Sequence, residues 1–393
     1  MFNSLSWPRK ALVDTADGLL EVKVPACGWA TIPHETLATG DSQAAARASL
    51  WEDGFMLENE LICARFDQQG QLVSLWDKET AREIMAAPGN RLNLYKDVPT
   101  NWDAWDLDSM AEMQPVPTSE TAQISINGSS PLVARVSLHR NLHKSTLDQI
   151  ISLRRGSRRI DFNTTVDWQE SHKLLKVSFP VDIHSSEAIS EIQFGHLRRP
   201  NHRSRQYDQD RFEVSNHKWT ALAEEGRGAA VLNDCKYGLS VTGKSINLTL
   251  LKSALAPDMT ADKGIQQFTY ALYSWNGSLL ESGLVREAYD LNVPALIVAG
   301  LGEQPSQSIF SVDAPNVIIE TVKPAEDGSR DLIVRLYEAL RTATRCTLTT
   351  SLPIVAALQT NLLEENLSSL DFADGKIVLD FRPFEIKTVR LRI

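Results

Sequence analysis

The strongest constraint on this chain is a period of two. In LVARVSL (Leu132 to Leu138), IDFNTTV (Ile160 to Val166), LLKVSFPV (Leu174 to Val181) and INLTL (Ile246 to Leu250), β-branched, aliphatic or aromatic residues alternate with polar ones. Successive side chains of a strand point to opposite faces, so the alternation describes strands with one buried and one wetted face. The joints carry turn chemistry: Arg155-Gly156-Ser157 and Asn127-Gly128 supply residues that tolerate the backbone of a tight hairpin. Helical spacing is scarce. Ser282 to Leu291 (SGLVREAYDL) puts Leu284, Ala288 and Leu291 on one face, and Thr80 to Ala86 predicts a further turn or two. Strands and helices do not alternate regularly, which argues against a doubly wound sheet or a (β/α)8 barrel and for an all-β chain of antiparallel sheets.

At 393 residues the chain is long enough for two or three domains. Residues 1 to about 50 predict a small β segment closing on the Gly/Ala/Ser-rich stretch Ala38 to Ser49. A strand-rich middle, 51–299, follows, and Gly300 to Ser308 (GLGEQPSQS) predicts a linker. From there to residue 393, VIIETV, DLIVRLYE, CTLTT, KIVLDF and EIKTVRLRI repeat the alternation of a small β-sandwich over 309–393, with the last strand built into its sheet.

A net charge of -10 disfavours nucleic acid as a partner, because that affinity rests on neutralising phosphates with Lys and Arg. The basic runs are local: Arg154-Arg155 with Arg158-Arg159 reads as a hairpin turn, and Arg198 to Arg205 is a second cluster. Cys27, Cys63, Cys235 and Cys346 form no CxxC pair, so neither a zinc ribbon nor a disulfide framework is indicated, and reduced thiols in the cytoplasm are expected. The opening MFNSLSWPRK has no apolar core of a leader, and no segment has the roughly 20 apolar residues of a membrane span, so no membrane partner is expected.

NWDAWDLD (Asn101 to Asp108) is the vocabulary of a sugar site. Trp102 and Trp105 offer faces for the C–H side of a pyranose, and Asp103 and Asp106 accept bonds from its hydroxyls. The other reading is a loop whose Trp rings plug a core edge while its Asp residues cap turns. A catalytic carboxylate dyad in this loop is not expected, since residues three apart on an extended loop face different ways and nothing nearby marks a raised-pKa partner. A second cluster joins FEVSNHKW (Phe212 to Trp219) to AVLNDCKYG (Ala230 to Gly238). His217 and Trp219 precede one strand, and Asn233, Asp234 and Tyr237 close the next, giving acceptors and an aromatic wall. Its plain alternative is an Asn- and Tyr-rich β-turn over a buried Trp. His139 and His143 have the i, i+4 spacing of a helical metal pair but stand at a strand end and a turn, without a third ligand, so no metal site is expected here.

In order along nearly the whole chain, the words FNSLSWPR, VPACGW, LENELICARFD, GQLVSLWDKETAREI, NRLNLYKDVPTNWDAWDLD, DWQESHKLLKVSFPVDI, EIQFGHLRRPNHR, FEVSNHKW, LNDCKYG and VREAYDLNVP resemble the C-terminal half of a glycoside hydrolase family 38 α-mannosidase. That resemblance implies a large antiparallel supersandwich, like that of galactose mutarotase, flanked by small β-sandwich domains. It also implies retaining, zinc-dependent hydrolysis through a covalent mannosyl-enzyme, with the zinc ligands, the nucleophilic Asp and the acid/base carboxylate on an N-terminal barrel and helical bundle. Those residues have no counterpart in this chain, which is expected to hold no cofactor and to be inactive alone. On this reading it supplies part of the wall of an α-mannoside pocket through the Trp102–Asp106 loop and the His217/Trp219 and Asn233/Asp234/Tyr237 cluster, with the barrel and bundle as its partner. The chain departs from the family pattern at Ala221, where an acidic residue is expected, at Lys252 in place of Arg, and at Gln266 in place of His. A free-standing carbohydrate-binding module and an autonomous mutarotase-like enzyme are the alternative readings, the latter by fold analogy only. If the chain packs against a barrel, exposed apolar residues are expected around the Trp102–Asp106 loop.

Overall fold

A computed structural model describes residues 1–15, 18–32, 45–52, 54–118, 121–299, 302 and 304–393. Residues 38–44 of the stretch read as Gly/Ala/Ser-rich, and residues 300, 301 and 303 of the expected linker, lie outside the described residues. The chain forms two compact units, one of Met1–Thr39, Ile192–His196 and Tyr289–Ile393, the other of Gly40–Glu191 and Leu197–Ala288.

The larger unit is the antiparallel supersandwich. Its nine-stranded sheet runs in the order Ala122–Ile126, Val133–Leu142, Ser145–Arg154, Arg159–Trp168, Gly264–Asn276, Arg227–Asn233, Trp219–Glu224, Glu187–Ile192 and Gly195–Pro200. A six-stranded sheet runs Pro115–Val116, Arg91–Lys96, Lys173–Pro180, Ser245–Lys252, Gly238–Thr242 and Val214–Ser215, and a five-stranded meander spans Arg47–Trp51 to Arg82–Glu83. The alternating segments read from the sequence are these strands. Gly156 and Gly128 occupy the hairpin turns with φ of 72° and 61°, where a side chain would be strained. The inward faces of all three sheets share one core, in which Phe55 stacks on Phe66 at 4.6 Å and Phe162 on Tyr270 at 5.1 Å. A polar knot lies inside it: the Tyr270 hydroxyl donates to Asn90 Oδ1 at 2.7 Å and accepts from Gln149 Nε2 at 2.9 Å, and Gln149 also donates to Thr164. Burial drives the Tyr270 pKa well above the usual phenol value, so the hydroxyl stays a proton donor.

The smaller unit holds a β-sandwich. The sheet Val317–Pro324, Leu332–Glu338, Ile386–Arg392, Ala356–Thr360, Asn366–Leu370 has the last strand of the chain at its centre, and a four-stranded sheet contributes the rest of a core built on Phe310, Leu336, Leu348, Phe381 and Leu391.

Helices are as scarce as expected. Ser282 to Leu291 appears as Leu284–Asn292, with Leu284 and Ala288 fully buried. The turn of helix expected over Thr80 to Ala86 is absent: Asp77 Oδ1 accepts the Thr80 amide at 2.9 Å, Ala81 turns left-handed at φ 51°, and Arg82–Glu83 pairs back on Trp76 and Asp77. A side-chain acceptor that closes a turn competes with the helix for the same amide, and here it makes a hairpin. His139 and His143 take separate partners, Asp148 at 2.7 Å and Glu170 at 3.0 Å, as a strand residue and a turn residue. The four cysteines are free, three of them buried, and among the described residues no helix is long and apolar enough to cross a membrane.

Candidate sugar-facing site

The loop 97–114 leaves the six-stranded sheet where Lys96 pairs with Lys173 and Leu174 with Lys252. Three buried or half-buried carboxylates hold it. Asp97, with a side chain 1% exposed, accepts the Asp108 amide at 2.7 Å through Oδ1 and pairs with Lys252 through Oδ2. Asp108 accepts from the Met110 amide at 2.9 Å and from Gln114 Nε2 at 3.0 Å. Asp103 Oδ2 gathers the Leu255 amide at 2.7 Å, the Ala256 amide at 3.1 Å and His172 Nε2 at 3.1 Å. Burial alone would raise the Asp103 carboxyl, but the Leu255, His172 and Ala256 donors outweigh it and hold the group below the usual carboxylate range.

These ties force the tryptophans outward. Trp102 adopts φ 58°, and its carbonyl accepts the Trp105 and Asp106 amides at 2.7 and 2.9 Å, a tight turn that brings the two rings edge to face with centroids 6.5 Å apart. Trp102 is 72% exposed and Trp105 74%, with Met110 and Met113 exposed beside them in sequence. Four large apolar residues on one loop are left in water while Asp97, Asp103 and Asp108 anchor it, so the Trp rings do not plug a core edge. Asp106 is exposed, and its Oδ1 accepts the Leu107 amide at 2.9 Å. Asp103, held ionised by its donors, and Asp106, facing solvent, differ in environment, and Asp103 lacks the raised pKa that a general acid requires.

The second cluster divides into a scaffold and an outer surface. Trp219 is only 1% exposed and sits in the nine-stranded sheet. Asn233 is equally buried, its amide donating to the His217 carbonyl at 2.8 Å and to Asn216 Oδ1 at 3.1 Å while its Oδ1 accepts the Lys236 amide at 2.8 Å. Asp234 Oδ2 accepts the Thr269 amide at 2.9 Å. These three side chains face the protein. His217 and Tyr237 are the outward pair, their rings 5.4 Å apart, with Tyr237 55% exposed. Burial, then the Lys218 charge, lowers the His217 pKa, so at neutral pH the ring is a neutral donor and acceptor rather than a cation. Ser215 pairs with Gly238 and Leu239 with Leu248, so this pair leaves the same end of the six-stranded sheet as the tryptophan loop. Three strand spacings separate the two positions, about 14 Å.

Sequence reading missed His172, Asp97 and the 255–256 backbone, the groups that orient the loop. The signal for His172 and Asp97 was only that DWQESHK and NRLNLYKDVPTNWDAWDLD lay in family-like words, since nothing local ties position 172 to 103. The family departures have structural roles: Lys252 pairs with Asp97, Ala221 is a core residue of the nine-stranded sheet, and Gln266 Nε2 donates to the Asp262 carbonyl at 3.0 Å. Among the described residues no three His, Cys, Asp or Glu converge so as to hold a metal ion.

The sequence profile "Glycosyl hydrolases family 38 C-terminal domain" matches residues 57–260, and "Glycosyl hydrolases family 38 C-terminal beta sandwich domain" matches residues 316–389. The chain is 38% identical to human alpha-mannosidase 2C1 over 99% of its own length and 39% of that protein's. It is 37% identical to alpha-mannosidase G of Dictyostelium discoideum over 85% of its length and 32% of that protein's. Its fold superposes on an alpha-mannosidase from Enterococcus faecalis V583 with a TM-score of 0.73 at 18% identity, covering 99% of this chain and 49% of that one. The chain thus spans about two fifths of the length of these curated relatives. With one profile covering more than half of its residues, a second covering the β-sandwich and the fold agreeing, the chain belongs to glycosyl hydrolase family 38 and corresponds to its C-terminal domains.

Proposed function

We propose that this chain is the non-catalytic C-terminal portion of a retaining α-mannosidase, completing the mannoside pocket and the scaffold between it and an N-terminal barrel and bundle. The observation that carries the reading is the tryptophan loop: two indoles more than 70% exposed, on a loop anchored through Asp97, Asp103 and Asp108. Exposed Trp has no stabilising role in the isolated fold, whereas a paired edge-to-face arrangement, rigid before binding, gives a pyranose a stacking face at low entropic cost. Trp102 and Trp105 stack on the sugar, Asp106 accepts a hydroxyl, and neutral His217 with Tyr237 forms the far wall; Asp103, Trp219, Asn233 and Asp234 position them. No proton transfer is assigned to any of these groups. The choice of a mannoside follows the relatives, alpha-mannosidase 2C1 and alpha-mannosidase G.

Titration calorimetry with methyl α-mannoside tests it. The wild-type chain is expected to bind weakly, with the heat lost in Trp102→Ala and Trp105→Ala at unchanged circular dichroism. Equal heats in wild type and both variants overturn the stacking role. Binding without a partner half also serves the free-standing module reading, which the exposed aromatic pair favours equally. Mannoside hydrolysis by the mixed halves separates the two.

A further inference from the structure

The basic run Arg198 to Arg205 has no part in the site above, and the structure gives it one. A cavity of about 30 Å³ lies in the larger unit beside the edge strand Gly195–Pro200, lined among others by Arg199, His202, Arg203, Asp208 and Arg211. At roughly 10–15 Å³ for one water, it has room for about two oxygens. Arg199 Nη1 is buried there with no hydrogen-bond acceptor among the described residues, and neither Arg199 nor Arg211 has a carboxylate within ion-pair distance among them. Asp208 does not fill the need: Arg205 engages it through Nε at 2.9 Å and Nη2 at 3.4 Å, with His202 at 3.7 Å. Arg203 reaches Glu112 only at 3.7 Å and is 37% exposed. Arg211 is turned against the Tyr207 ring at 5.0 Å. Three arginines against Asp208, already engaged by Arg205, and Glu112, shared with Lys176, leave the cavity cationic.

That arrangement costs stability in the free protein. Burial, then the Arg211 charge, lowers the Arg199 pKa, yet a guanidinium does not lose its proton at neutral pH, so a bound anion would relieve the charge repulsion. Planar guanidinium forks match the oxygens of a phosphate better than a point charge does. Arg203 also lines two larger cavities, of about 320 and 540 Å³, that reach Ser109 and Gln206, so a group esterified to the phosphate has space beyond the mouth.

We propose that Arg199, Arg203 and Arg211 form an anion site that takes a phosphate group, free or esterified to a small polar molecule. The site is independent of the mannoside reading.

Titration calorimetry of the full chain with inorganic phosphate tests it, at constant ionic strength set by chloride. Wild type is expected to bind, and Arg199→Gln and Arg211→Gln each to weaken binding at least tenfold. Because Arg211→Gln removes the charge facing Arg199, it is also expected to raise the unfolding temperature in phosphate-free buffer while abolishing the rise that phosphate produces in wild type. If Arg199→Gln fails to fold, Arg203→Gln, at the more exposed position, takes its place. A wild type that responds to phosphate no more than to chloride, or an Arg211→Gln that retains the full phosphate response, overturns the proposal. Mannose 6-phosphate binding more tightly than inorganic phosphate identifies an ester ligand, and equal affinity identifies the free ion.

Discussion

Replacing Asp103 by Ala tests whether the tryptophan loop is held by its carboxylates. Oδ2 accepts three donors, and the three are not equal. The Leu255 amide is partly buried, and losing its 2.7 Å acceptor costs about 1–2 kcal/mol. The Ala256 amide is exposed and water takes over, so its share is close to nothing. The His172 contact joins side chains 32% and 17% exposed, a partly solvated hydrogen bond worth about 0.5 kcal/mol. The expected loss is therefore about 2 kcal/mol for Asp103→Ala, and about 1 kcal/mol for Asp103→Asn, which keeps an acceptor oxygen but loses its charge. Urea unfolding gives the total, and hydrogen exchange locates it: protection at the Leu255 amide is expected to fall in Asp103→Ala. The sign with pH follows from the depressed carboxyl. The group stabilises the fold fully above the unfolded carboxylate value near pH 4 and stops doing so as pH falls through its lower folded value, so the difference between wild type and variant shrinks in acid. An Asp103→Ala protein with unchanged Leu255 exchange and unchanged urea midpoint would refute the reasoning.

Lys252→Met leaves the buried Asp97 carboxylate with only the Asp108 amide, and a loss of about 3 kcal/mol is expected in urea unfolding, with Lys252→Arg close to wild type because the cation is restored. Tyr270→Phe removes a hydroxyl bonded to both Asn90 and Gln149 in the core, with an expected loss of about 1–3 kcal/mol by the same measurement. At Gly228 an added Cβ would stand 2.0 Å from the Trp275 ring, itself 2% exposed, so Gly228→Ala is expected to cost about 1–3 kcal/mol and to lower the unfolding temperature.

What the sequence revealed and what it hid divide along physical lines. Strands such as Arg159–Trp168 were legible because burial of one face imposes period two over ten residues, whatever the neighbours are. The Thr80 segment was misread because a single side-chain bond from Asp77 decides a turn, and propensity over seven residues carries no record of it. In the loop, Trp beside Asp suits both a sugar face and a core plug, and only the folded loop, with its left-handed turn at Trp102, shows that both rings are exposed. Trp219 and Asn233 carry the same chemistry in the sequence but fall on the inner side of their strands, and the short alternation around the turn could not assign their faces. The partners of Asp103 at 172 and 255 flank other strands and become visible only when the sheet is assembled.

The most direct test of the central claim is hydrolysis of a chromogenic α-mannoside by this chain mixed with an N-terminal barrel-and-bundle half from the same family, in zinc-containing buffer, with the chain alone beside it. Turnover is expected only in the mixture, falling at least a hundredfold with Trp102→Ala/Trp105→Ala while the unfolding free energy of the chain in urea changes by no more than about 0.5 kcal/mol, because both rings are solvent-exposed in the free fold. Turnover by the chain alone, or a mixture in which the double variant hydrolyses at the wild-type rate, would contradict it.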